Sequence, residues 1–67
     1  MLAPMSYALY VRFDETGARP VLLRDHETLD GGEGVRYRYV TTTAGWEEAD
    51  AIRVELRRRI EARELQS

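Results

Sequence analysis

The sequence predicts a small α+β domain of order β-β-β-α: a three-stranded antiparallel meander sheet with one C-terminal helix packed on one face. Three observations carry that prediction. Residues 6–13, "SYALYVRF", alternate with a period of two, as a half-buried strand does. Residues 35–42 repeat the period with Val, Tyr and Thr, the residue types favoured in strands. From Trp46 the period changes, and Trp46, Ala49, Ile52, Leu56 and Ile60 fall on one helical stripe.

In the first strand Tyr7, Leu9, Val11 and Phe13 share one face, while Ala8, Tyr10 and Arg12 share the other. "DETG", residues 14–17, reads as a hairpin turn. Asp14 caps it, and Gly17 takes the positive φ of a type I turn with a bulge. "PVLLRD", residues 20–25, is the returning strand, with Pro20 at its first residue, where a missing N–H costs little. "HETLDGGEG", residues 26–34, is a loop whose glycines supply positive φ. Gly45 is the expected N-cap of a helix over 45–65, with Glu48 reaching back in capping-box fashion and Thr43 as the competing cap. Acids at Glu47, Glu48 and Asp50 and arginines at Arg57, Arg58, Arg59 and Arg63 match the helix dipole. Glu55 and Arg59 are spaced for an i,i+4 ion pair.

The chain of 67 residues reads as a single domain, with 1–5 as a frayed arm, 6–43 as the sheet and 45–65 as the helix. Domains of this size bury only roughly 60% of their unfolded surface, and one such core supplies about 3–5 kcal/mol. There is no cysteine, which excludes disulfides and thiolate zinc sites, and the single histidine excludes a histidine cluster. Oligomerisation is the remaining staple, so a homodimer is expected. A net charge of −2 and a hydrophobic content of 43% fit neither a polybasic tail nor a disordered acidic chain. All ten basic residues are arginine, the better partner for phosphates, carboxylates and aromatic faces. No apolar run has the length of a membrane span, and "MLAPMS" lacks the regions of a signal peptide, so the expected location is cytoplasmic.

The expected buried sheet face carries Tyr7, Leu9, Val11, Phe13, Val21, Leu23, Val35, Tyr37 and Tyr39, covered by Trp46 and the helix stripe. The opposite face then carries Ala8, Tyr10, Arg12, Leu22, Arg24, Arg36, Arg38, Val40 and Thr42. Tyr10, Arg12, Arg24, Arg36 and Arg38 are the candidate partner-binding residues, because four arginines and a tyrosine meet there without an acid on the strands. These are residue types enriched in interface cores, which makes a non-enzymatic accessory module docking on another protein, or on a second copy, the leading expectation. An edge strand is a second route to the same end.

The alternative is nucleic-acid binding by the same face, with arginines tracking phosphates and the tyrosine stacking on a base. The chain order is loosely similar to that of the sheet-and-helix DNA-binding domains of phage integrases, a likeness of architecture alone. Against both stands a solvated arginine face, neutralised by Asp14, Glu15, Asp25 and Glu33. "DHETLD" groups Asp25, His26, Glu27 and Asp30, but one histidine in a loop makes a polar connection, not a metal centre or an acid–base site. "DGGEG" precedes a strand and so is no phosphate cradle. No catalytic residue, cofactor, metal or small-molecule substrate is expected, since so short a chain offers little concave volume.

Overall fold

The computed structural model describes residues 6–24 and 27–65. Strands β1 (Tyr7–Asp14), β2 (Gly17–Arg24) and β3 (Arg36–Thr43) are followed by helix α1 (Trp46–Glu61), which is the α+β order the sequence predicts. The sheet is antiparallel, in the order β2-β1-β3, so β1 is central rather than β2 as a meander requires. Pro20 is the physical reason. It lies inside β2, opposite Val11, and not at the strand's first residue. A proline has no N–H for a second neighbour, which confines β2 to an edge.

Glu15 and Thr16 alone form the turn, and Asp14 pairs directly with Gly17 (φ 121°). The Asp14 carboxylate accepts from the Thr16 N–H at 2.8 Å and from its hydroxyl. These bonds, the hydroxyl's foremost, hold its pKa below the ordinary aspartate value. A two-residue turn fixes the register, so Leu9 faces Leu22, Val11 faces Pro20 and Phe13 faces Ala18. Val21 and Leu23 therefore lie opposite Tyr10 and Ala8, on the face away from the expected one. A turn one residue longer would have turned every β2 side chain over.

β3 is turned over as well. Arg36 faces Phe13 and Arg38 faces Val11, whereas Tyr37 and Tyr39 face Arg12 and Tyr10. The register shifts between Leu9 and Tyr10, where Val40 is the extra residue of a β-bulge. The core is Leu9, Val11, Phe13, Ala49 and Leu56, with Tyr7, Ala18, Leu22, Ile52, Ile60 and Leu65 packed around it. Thr43 is buried, and its hydroxyl donates to the Gly45 carbonyl at 3.2 Å.

Gly45 is the N-cap, in extended conformation and without a side-chain cap bond, so Glu48 closes no capping box. Trp46 remains 51% exposed although it heads the stripe. It packs edge-on against Tyr7 at the start of β1, with centroids 5.8 Å apart. The helix ends at Glu61, short of the expected residue 65. Arg63 takes a left-handed φ of 61°, its N–H donates to the Ile60 carbonyl, and the Glu64 N–H donates to the Arg59 carbonyl. This is a Schellman turn with arginine where glycine is usual, and it swings Leu65 back onto the core. Glu55 receives both Arg58 (2.7 Å) and Arg59 (3.2 Å). Among the described residues no helix is long and apolar enough to cross a membrane.

Candidate docking surfaces

The register divides the predicted site. Tyr10 and Arg12 stand on the sheet face away from the helix, as expected. Arg36 and Arg38 stand on the helix side, opposite Phe13 and Val11. Arg24 pairs with Tyr7, which packs against the core on the helix side. Its backbone N–H donates to Glu27 Oε1 at 2.7 Å, tying down the start of the next connection. The single basic face therefore does not form. Alternation of Arg and Tyr identified a strand but carried no information on which of the two faced the core.

On the face away from the helix the arrangement is aromatic instead. Tyr10 makes edge contacts with Tyr37 (6.3 Å between centroids) and Tyr39 (5.5 Å). Val21 and Leu23 continue this surface along β2. Sequence reasoning missed Tyr37, Tyr39, Val21 and Leu23 here, and Pro20 with the two-residue turn was the signal that finds them. Because β2 and β3 lie on opposite sides of β1, their connection must pass β1, and Leu29 and Asp30 lie over this face beside Arg12, Val21 and Tyr37. The Tyr37 hydroxyl donates to the Asp30 carbonyl at 2.5 Å, and a shallow groove runs between Leu29, Asp30, Arg12 and Val21. Gly34 (φ 79°) supplies the left-handed turn that feeds β3. Arg12 Nε lies 3.4 Å from Asp14 Oδ2 as an ion pair and is buried with no hydrogen-bond partner among the described residues. Asp25 and His26, half of the predicted polar group, lie outside the described residues.

The two sheet edges differ. Pro20, lacking an N–H, fixes Val11–Pro20 as a non-hydrogen-bonded pair. Polar backbone groups then alternate along β1: Tyr10 and Arg12 bond to β2, and Val11 and Phe13 bond to β3. On β3, Arg36 and Arg38 turn their backbone groups inward, while Tyr37, Tyr39 and Thr42 turn theirs to the outer edge. That edge contains neither proline nor lysine. Tyr39 is 56% exposed on it, with its hydroxyl 2.8 Å from Thr42 Oγ1. Beside it, on the helix side, a shallow groove is lined by Arg38, Val40, Leu56, Arg59 and Leu65.

No family model matches the chain, and neither a curated protein nor a solved structure matches it.

Proposed function

We propose that the protein is a non-enzymatic accessory module of the cytoplasm that docks on another protein by accepting a strand along β3. The observation that carries this reading is the unlike treatment of the two edges. β2 carries Pro20, which has no N–H to offer, whereas β3 is an eight-residue edge strand whose outward backbone groups, at Tyr37, Tyr39 and Thr42, meet no other strand among the described residues. Unpaired edges are templates for another chain, and proteins usually blunt them with proline, lysine or covering loops. Strand addition draws affinity from main-chain bonds and specificity from alternate side chains. Tyr39 and Val40 stand beside that edge, exposed, to receive the incoming strand's side chains.

Nucleic-acid binding is the second reading, and the register redistributes its arginines: Arg12 lies on the face away from the helix, and Arg24, Arg36 and Arg38 lie on the helix side.

The test is amide hydrogen exchange with a binding selection. In the free monomer the amides of Tyr37, Tyr39 and Thr42 exchange quickly, and those of Arg36 and Arg38 slowly. Peptides selected from a random library should be extended and should protect Tyr37 and Tyr39. A proven monomer in which Tyr37 and Tyr39 are already protected overturns the reading, as do selected peptides that leave them fast.

A further inference from the structure

Resting on that reading, we infer that the strand accepted by β3 is an acidic one, with carboxylates two residues apart that pair with Arg36 and Arg38. These two side chains project on the same side of the strand, next to the open edge. Both are exposed. Neither has a carboxylate partner among the described residues. The ion pairs there involve Arg12, Arg53, Arg58 and Arg59 instead. Among the described residues Arg36 meets the Phe13 ring, 5.9 Å from its guanidinium carbon. The edge thus presents two guanidinium groups at strand spacing, and a facing strand places alternate side chains directly against them.

A second copy of the chain fits less well. Antiparallel pairing of β3 with its own copy about Tyr39 and Val40 sets Arg38 against Thr41 and Arg36 against Thr43. That leaves both arginines without an acid, and parallel in-register pairing sets arginine against arginine, which is repulsive. An acidic strand meets both arginines. In antiparallel orientation its next side chain on that face arrives at Val40, above the groove formed with Leu56 and Leu65. The recognised pattern, read N to C, is apolar-x-acid-x-acid.

The probe is the peptide Thr-Val-Thr-Glu-Thr-Glu-Thr, labelled for fluorescence polarisation, with chemical shifts reporting the site. The Glu peptide should bind about fivefold to tenfold tighter than its Gln counterpart, as two cross-strand ion pairs allow. The difference should shrink with added salt. Arg36→Glu with Arg38→Glu should lose the Glu peptide and gain the Lys counterpart, and its circular dichroism should match the wild type. Arg36→Gln with Arg38→Gln serves if the double reversal unfolds, and it should bind Glu and Gln peptides equally. N-methylation of the peptide amides that face β3 should abolish binding. Equal binding of Glu and Gln peptides to the wild type overturns the acidic preference and leaves strand docking standing. A wild type that sediments as a β3-paired dimer and ignores the Glu peptide has the same meaning. A Glu peptide that binds without moving Tyr37 or Tyr39 amides, or indifferent to N-methylation, overturns strand addition itself.

Discussion

β1 and β3 are both eight-residue strands with regular alternation, yet they have opposite fates. In β1 alternation separates apolar from polar residues, and Leu9, Val11 and Phe13 are buried. In β3 it separates arginine from tyrosine, and only Thr43 is buried. Burial decides the face of a strand when one of its two sets is plainly apolar. When both sets are amphipathic, the face is decided elsewhere, here by pairing to β1 and by the bulge at Val40.

The largest break in this comparison comes from truncating each strand at its centre. Leu9→Ala, at a fully buried position, should cost about 2–5 kcal/mol. That approaches the whole stability of a domain this small, so the variant should be largely unfolded by circular dichroism at 25 °C. Tyr39→Ala should cost no more than about 1 kcal/mol by urea denaturation, since the ring is more than half exposed. Equal losses at the two sites would mean that β3 is packed like a central strand. Deleting Val40 comes next. It removes the bulge but keeps Thr41 opposite Leu9 and Thr43 opposite Tyr7, so it should cost no more than about 1 kcal/mol in the same assay.

Arg63→Gly sharpens the comparison from the helix end, where Leu65 supports the β1 core. Glycine occupies the left-handed φ of 61° without strain, so this variant should be more stable than Arg63→Ala, which lacks the same side chain, by about 0.5–1 kcal/mol in urea denaturation. The smallest effect is electrostatic. Hydrogen bonds from Arg58, then Arg59, lower the Glu55 pKa from 4.5 to about 2. The folded value lies below the unfolded one, so this contribution is complete above about pH 4.5 and is lost as pH falls towards 2. Glu55→Gln should lower stability slightly above about pH 4.5, leave it unchanged near pH 2, and so flatten the acid limb between them. An unaltered acid limb would show that the pairs are fully screened by solvent.

The element order, the β1 core face and most of the helix stripe were legible because each rests on a strong apolar period. The Glu55–Arg59 pair and the Gly45 cap were legible from spacing alone. Two features were not. The length of the turn between Asp14 and Gly17 is ambiguous by one residue in "DETG", and one residue reverses β2. The strand order depends on a connection long enough to pass over β1, and Pro20 read as a strand start concealed the need for it. Of the candidate site, Tyr10 and Arg12 stood where expected. Arg36 and Arg38 were singled out correctly as strand residues but placed on the wrong face, and their relation to the free edge became visible only with the register.

The central position of β1 also constrains the order in which the fold can be made. Its hairpin with β2 closes through a two-residue turn, and the helix is local, so both form over short loops. The pairing with β3 closes the longest loop in the sheet, from Tyr7 to Thr43. β3 is therefore the last strand to be added and the cheapest to release. Each release bares the main-chain edge of the apolar strand Leu9–Val11–Phe13, so protection from exchange in this small protein is expected to fall from β2 to β3 across the sheet.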